Sequence, residues 1–201
     1  MVYSSCIRYA QYPFMSKLQF PSLSGLGNLV LLLIINLVLT LAFVDQFYNH
    51  DLPCPLCILQ RVGFTLVGLI ILLNIRVGAH PAHYGFGILF AVLGLAVSLL
   101  QVLLHVAPTD LGYGDTFFHI HFYTWAFVGF TSLIISMAIL LIIPDGGTRS
   151  RHWLAQTLAG WFVVLLIGNL LSTLLQCGIG PCADNPIRYD GFDLLRRWIG
   201  L

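Results

Sequence analysis

Residues 53–73, PCPLCILQRVGFTLVGLIILL, place two cysteines and an arginine at the start of an apolar run. Two residues separate Cys54 from Cys57, and Arg61 is four positions after Cys57. Beyond Arg61 the run carries no charge. The stretch predicts a membrane-spanning helix that carries a dithiol and a fixed positive charge at its N-terminal end.

The composition of the whole chain favours a bilayer over water. Its 201 residues are 58% hydrophobic and 8% charged, whereas a soluble domain carries about 25% charged residues. Asn28 and Asn36 lie within the first apolar segment, where each needs a partner on another helix. The net charge of +1 does not indicate binding to nucleic acid. The chain is therefore predicted to be all-α, a polytopic transmembrane helical bundle with helices near 25–44, 58–75, 84–106, 122–143 and 154–175.

The basic residues predict the orientation. With a cytoplasmic N-terminus, the outer loops 45–57 and 107–121 contain no lysine or arginine, and five basic residues lie inside: Arg8, Lys17, Arg76, Arg149 and Arg151. The exceptions on the outer side are the arginines of the C-terminal tail, and Arg61 lies within the second helix. Five helices then place the C-terminus outside. Both close cysteine pairs, Cys54/Cys57 and Cys177/Cys182, would face the compartment where disulfides persist, the periplasm of a bacterium. Cys6 would be an ordinary cytoplasmic thiol.

The spacing of the first pair suits redox exchange. A disulfide between cysteines two residues apart tends to be reducible, which favours exchange over a structural role. Cys57 is predicted at a helix N-terminus, where unpaired N–H groups favour the thiolate. Arg61 lies on the same helix face and could hold an electron acceptor such as a quinone. The alternative is an arginine that reaches lipid headgroups.

Two motifs resemble a known family. CPLCILQR (54–61) resembles the signature of the DsbB family of disulfide-forming membrane proteins, and GYGDTFFHIHFYTWAF (112–127) is similar to a stretch in divergent members. The resemblance covers residues 25–143. It implies a four-helix DsbB-like bundle, here with one additional helix, in the bacterial inner membrane. It also implies an enzyme, a quinone-dependent protein thiol–disulfide oxidoreductase that reoxidises a periplasmic, DsbA-like thioredoxin-fold partner.

The resemblance also assigns roles to residues. Cys54 and Cys57 would be the pair coupled to ubiquinone or menaquinone, with Cys57 beside the quinone and Arg61 orienting it. Gln101 and His105, near the outer end of the third helix, would line the quinone site. No metal is expected, because a dithiol supplies the two electrons that a quinone accepts.

The second cysteine pair departs from the family. Better-known members carry it between helices 3 and 4, whereas residues 107–121 contain no cysteine here. Cys177 and Cys182 follow the fifth helix, and the glycines and proline between them permit a tight turn. We expect this pair to accept electrons from the partner and pass them to Cys54/Cys57. A structural disulfide, or direct reaction of the partner with the first pair, are the alternatives.

Four segments follow along the chain: an N-terminal cytoplasmic segment (1–22), the four-helix bundle (23–143), a cytoplasmic loop with the fifth helix (144–176), and a periplasmic tail (177–201). The end of the tail, FDLLRRWIGL (192–201), is either a short interfacial helix or an unstructured end.

Other functions remain open from the sequence. A non-catalytic metal or haem carrier, or an assembly protein, could use the disulfides to staple its outer loops. His119 and His121 could share a face in a strand but would point about 200° apart in a helix. A conduit for reducing equivalents needs a cytoplasmic thiol pair, and only Cys6 is predicted there. A vitamin K epoxide reductase-like enzyme would carry its quinone-facing pair on the last bundle helix.

Overall fold

The computed structural model describes residues 22–49, 52–107, 112–114, 116–143, 153–178, 180–184, 186, 189 and 191. Cys6 and residues 192–201 lie outside this range. The described elements are five helices, α1 (Leu23–Tyr48), α2 (Pro55–Val77), α3 (Pro81–Leu104), α4 (Phe122–Ile142) and α5 (Trp153–Cys177), and two short strands, β1 (Thr116–Phe117) and β2 (Ile120–His121). All five helices are long and apolar enough to cross a membrane, which confirms the predicted transmembrane helical bundle.

Two helices begin three residues earlier than the sequence predicts. Helix α2 starts at Pro55 rather than at residue 58, and α3 starts at Pro81 rather than at residue 84. Proline suits the first helical position because its missing N–H would have no partner there. The preceding side chains cap the helices: Cys54 Sγ accepts from the Cys57 N–H, and His80 Nδ1 accepts from the Ala82 N–H.

The helices pack in a defined order. Helix α2 lies against α1 and α3, α4 packs on α3, and α5 packs on α1 and α2. The rings of Phe64 and Phe130 stack with centroids 4.1 Å apart in the buried core. Phe162 of α5 is fully buried against Gly68 of α2, where any larger residue would collide with its ring. The fifth helix is therefore part of the same core as the other four.

Buried asparagines join the helices, as the sequence predicts. Asn28 donates to the Tyr84 hydroxyl at 2.6 Å, and Asn74 donates to Asn28 Oδ1 at 3.3 Å, which links α1, α2 and α3. Asn36 donates to the Leu158 carbonyl of α5 at 3.0 Å. Without water in the apolar core, these bonds fix which helices are neighbours.

A short hairpin precedes α4. Strands β1 and β2 pair antiparallel, and the two residues between them, Phe118 and His119, both have positive φ angles of 51° and 62°. Hairpin turns with two positive φ angles normally carry Asn-Gly, so the sequence gives no turn signal here. The hairpin brings β1 and the start of α4 close together beside α1 and α2.

The tight contact between α3 and α4 predicts the effect of one methyl group. A Cβ at position 94 would collide with the Phe130 ring, whereas a Cβ at position 85 of the same helix meets nothing within 4 Å. Gly94→Ala should therefore destabilise the protein by roughly 1–3 kcal/mol, measured by thermal unfolding in detergent. Gly85→Ala is the matched control and should unfold no earlier than wild type. Equal stability of the two variants would contradict this packing.

Candidate redox site

The first cysteine pair forms a disulfide at the start of α2. Cys54 and Cys57 have Cα atoms 5.0 Å apart. Cys54 is only 6% exposed, and Cys57 is partly exposed. The Cys57 N–H donates to Cys54 Sγ at 3.1 Å. The sequence placed the helix-terminal stabilisation on Cys57, but the earlier start of α2 makes Cys54 the capping residue that accepts this N–H.

A buried glutamine, Gln101, lies against the disulfide, and a second, Gln60, is bound to it. Gln101 Nε2 of α3 is 3.4 Å from Cys54 Sγ and 3.5 Å from Cys57 Sγ. Gln60 Nε2 of α2 donates to Gln101 Oε1 at 2.8 Å. The structure therefore places Gln101 beside the sulfur atoms. Gln101 does not line the cavity that lies beside Cys57 and Arg61.

Arg61 is held by α1. Its Nη1 donates to Gln46 Oε1 at 2.6 Å, its Nη2 donates to the Ala42 carbonyl at 2.8 Å, and its guanidinium lies 5.8 Å from the centre of the Phe43 ring. These contacts direct the charge into the bundle rather than toward lipid headgroups. A cation stacked on an aromatic ring gains about 0.5–2 kcal/mol.

Gln46 connects this arginine to the fifth helix and the tail. Its amide nitrogen donates to the Ser172 hydroxyl at 2.8 Å and to the Tyr189 hydroxyl at 3.2 Å. Gln46 is 1% exposed. Because its nitrogen is engaged on the side of α5, its oxygen is directed to Arg61.

A cavity of about 310 Å³ lies beside Cys57 and Arg61. It is enclosed by α1, α2, the hairpin and the first half of α4, and its walls are mainly apolar, with Phe64 and Phe122 among them. Leu41 also lines it and is half exposed on the outer face of the bundle, where lipid would lie. The volume is within the range of small-molecule sites. A lipid-soluble ring compound could reach Cys57 and Arg61 by passing Leu41.

The predicted histidines lie around this cavity without lining it. His105 caps the end of α3, and its ring centre is 5.5 Å from that of Tyr123, a lining residue. His119 is in the hairpin turn, whereas His121 immediately precedes α4 and stacks on Tyr123 at 5.1 Å. In the described part of the chain, no three histidine, cysteine or acidic residues are grouped to hold a metal ion.

The second pair also forms a disulfide. Cys177 is the last residue of α5, and its Cα lies 4.6 Å from that of Cys182. Gly178 has a φ angle of 63°, a conformation that glycine adopts without strain and that reverses the chain after the helix. Both cysteines are partly exposed.

A hydrogen bond brings the two pairs to the same end of the bundle. Gln176, next to Cys177, donates to the Pro53 carbonyl at 2.6 Å, and Pro53 directly precedes Cys54. From the other side, the Tyr113 hydroxyl donates to the Leu52 carbonyl at 2.7 Å. The segment 52–54 is thus held between the end of α5 and the segment that leads to the hairpin.

Sequence reasoning missed the glutamines Gln46, Gln60 and Gln176. The available signal was their position in otherwise apolar segments, beside Arg61 or a cysteine pair. A buried amide needs partners, so each predicts a contact with another helix. The sequence alone did not indicate which helix supplies the partner.

The fold and site together define a membrane thiol–disulfide protein, with one disulfide beside an arginine and a mainly apolar cavity. The chain belongs to the DsbB family, because the family model described as Disulfide bond formation protein DsbB matches residues 25–176. This match includes α5, whereas the resemblance read from the sequence ended at residue 143. The chain is thus a multi-pass membrane protein of disulfide bond formation, a disulfide oxidoreductase by family.

Individual relatives agree with the family. A Disulfide bond formation protein B of Chromobacterium violaceum is 30% identical over 146 residues, which cover 68% of this chain and 82% of that protein. Proteins of the same name from Cupriavidus pinatubonensis (41% identical over 64 residues, 31% of this chain and 40% of that protein) and Cupriavidus metallidurans (38% over 68 residues, 33% and 42%) match shorter stretches. No solved structure gives a significant match.

The bond from Gln176 to Pro53 predicts how well the first disulfide is protected. Gln176→Leu should expose the Cys54–Cys57 pair more often, because a lost hydrogen bond of about 1 kcal/mol raises local opening about fivefold. The rate of reduction by dithiothreitol, mapped by mass spectrometry, should rise accordingly. Asn169→Leu on the same helix is the control, since Asn169 donates only to its own helix, at Leu165. An unchanged rate in Gln176→Leu would show that this bond does not protect the disulfide.

Proposed function

We propose that this chain is an inner-membrane thiol:quinone oxidoreductase. It would reoxidise a periplasmic thioredoxin-like partner of the DsbA type and pass the electrons to ubiquinone or menaquinone. The observation that carries the proposal is that Cys57 and Arg61 line the same mainly apolar cavity, together with Leu41, which is half exposed on the outer face of the bundle. The basic residues favour a cytoplasmic N-terminus and a periplasmic C-terminus.

The cavity suits the chemistry of a quinone. Apolar walls, including Phe64 and Phe122, favour a flat ring, and Arg61 offers a charged donor to a carbonyl oxygen. The guanidinium has five N–H donors, more than its bonds to Gln46 and Ala42 use. A bound quinone would accept the two electrons and two protons that leave the Cys54/Cys57 dithiol when it closes to a disulfide. Arg61 would orient the ring, and Cys57 would be the cysteine nearest to it.

The second pair is suited to receive the partner. Cys54 is almost fully buried, so a soluble protein cannot approach its sulfur without a rearrangement. Cys177 and Cys182 are partly exposed, and Gln176 joins their end of α5 to the residue before Cys54. Electrons would therefore enter at Cys177/Cys182 and move to Cys54/Cys57 by thiol–disulfide exchange, in which each dithiol that closes opens the next disulfide.

Turnover of the purified protein tests this relay. With a reduced thioredoxin-like partner and ubiquinone or menaquinone, wild type should reduce the quinone, and both Cys57→Ser and Cys177→Ser should abolish turnover. Loss only in Cys57→Ser would assign a structural role to the tail disulfide and place the partner directly on the first pair. Absence of turnover in wild type with both quinones would contradict the oxidoreductase proposal and favour a metal, haem or assembly function.

The role of Arg61 is tested by a change that keeps its charge. Arg61→Lys loses the planar fork of donors, so the KM for quinone should rise about tenfold, as expected for one charged hydrogen bond of roughly 1.5 kcal/mol. Exchange between the partner and the cysteine pairs should be unaffected. Arg76→Lys is the matched control, because Arg76 is exposed at the opposite end of α2. An unchanged KM in Arg61→Lys would remove Arg61 from the quinone site.

A further inference from the structure

Gln101 lies beside the first disulfide and does not line the cavity, which indicates a function separate from the cavity. We propose that the side-chain amide of Gln101 stabilises the thiolate that forms when the Cys54–Cys57 disulfide opens, and that Gln60 positions this amide. The inference deepens the proposed function and rests on it, since it concerns the same cysteine pair.

The side-chain NH₂ group of Gln101 lies within hydrogen-bonding distance of both sulfur atoms. Its Nε2 lies 3.4 and 3.5 Å from the Cys54 and Cys57 sulfurs, distances suited to N–H···S hydrogen bonds. Gln101 is 1% exposed. Water therefore does not compete for this amide, and the donor is already in place before exchange begins.

Gln60 determines which end of the amide faces the sulfurs. Its Nε2 donates to Gln101 Oε1 at 2.8 Å, and Gln60 is itself 6% exposed. With the oxygen of Gln101 engaged by Gln60, its NH₂ group is the end nearer to the sulfurs, at 3.4 and 3.5 Å, whereas its oxygen lies 4.0 Å from Cys57 Sγ. The opposite orientation would place an amide oxygen against a developing anion, which is unfavourable in an apolar environment.

The chemical step requires such a donor. An attacking thiolate forms a bond to one sulfur of the pair, the Cys54–Cys57 bond breaks, and its electron pair remains on the other sulfur as a thiolate. A buried anion without hydrogen bonds is costly. Gln101 can donate to either sulfur, and the Cys57 N–H adds a second donor to Cys54. The amide carries no charge and does not titrate, so any pH dependence of its effect comes from ionisation of the cysteine thiol.

Arg61 does not duplicate this role. Its guanidinium is bound to Gln46 and Ala42 of α1 and lines the cavity, whereas Gln101 does not line it. Substitution of a residue that binds the quinone and of a residue that donates to the sulfur should have different effects. The first substitution changes the KM for quinone. The second changes the fraction of cysteine present as thiolate in reduced protein that contains no quinone.

The test measures thiolate reactivity directly. Reduced, quinone-free full-length protein in detergent is alkylated with iodoacetamide from neutral to strongly alkaline pH, and modification of Cys57 is followed by mass spectrometry. Gln101→Leu should slow alkylation at neutral pH about tenfold, the effect of one hydrogen bond to a charged group. The rate should return to the wild-type value at alkaline pH, where the thiol is ionised in both proteins.

Three further variants make the result specific. Gln101→Glu, of nearly the same shape, should slow alkylation at neutral pH more strongly, because it replaces the donor with an acceptor. Gln60→Leu should have a smaller effect in the same direction, since it only removes the orienting bond. Ser98→Ala should match wild type, because Ser98 is buried one turn before Gln101 and donates only to its own helix, at Gly94.

Two results would overturn the inference: wild-type rates in Gln101→Leu and Gln101→Glu, or an equal fall at every pH, which reports changed access. The assay requires neither quinone nor partner, so its outcome is separate from that of the turnover assay. Normal turnover with no effect of Gln101 on alkylation would reject this inference alone. Absent wild-type turnover with the expected alkylation effect would reject the quinone proposal and support the sulfur contact.

Discussion

The permanent charge of Arg61, placed nearly two turns into an apolar helix, must be satisfied by protein groups. Gln46 and the Ala42 carbonyl of α1 accept its hydrogen bonds, and Gln46 is in turn bound to Ser172 and Tyr189. This network joins α1, α2, α5 and the tail at one end of the bundle. The fifth helix is thereby tied to the arginine site, and its last residue carries the second cysteine pair into the neighbourhood of the first.

The polar groups around the first disulfide are divided between two sides of α2. Arg61 and the apolar cavity lie toward α1 and α4, whereas Gln101 lies on α3, outside the cavity. Gln60 lines the cavity and donates to Gln101. Cys57 belongs to both surroundings, because its sulfur contacts Gln101 and the residue lines the cavity. In the proposed mechanism, Gln101 stabilises the Cys57 thiolate from one side and the quinone approaches it from the other. The same arrangement leaves Cys54 buried, whereas Cys177 and Cys182 are partly exposed.

Most of the fold could be predicted because hydropathy is a property of consecutive residues. The five spans, the Cys54–Cys57 pair and Arg61 are all local patterns, and their helices differ from prediction by a few residues at the ends. The role of Gln101 beside sulfur and the partners of Gln46 and Gln176 depend on which helices are neighbours, which spacing does not specify. The hairpin turn at Phe118 and His119 was missed for a different reason, since it lacks the residues that such turns usually require.

The central claim is that electrons pass between the two cysteine pairs, and a trapped mixed disulfide tests it most directly. Two double variants retain one cysteine of each pair: Cys57→Ser with Cys177→Ser, and Cys57→Ser with Cys182→Ser. After mild oxidation in lipid bilayers, peptide mapping should show Cys54 linked to the remaining tail cysteine in at least one of them. Cys6, predicted on the other side of the membrane, should form no link to Cys54. Folded protein that forms neither link between the pairs would contradict the relay.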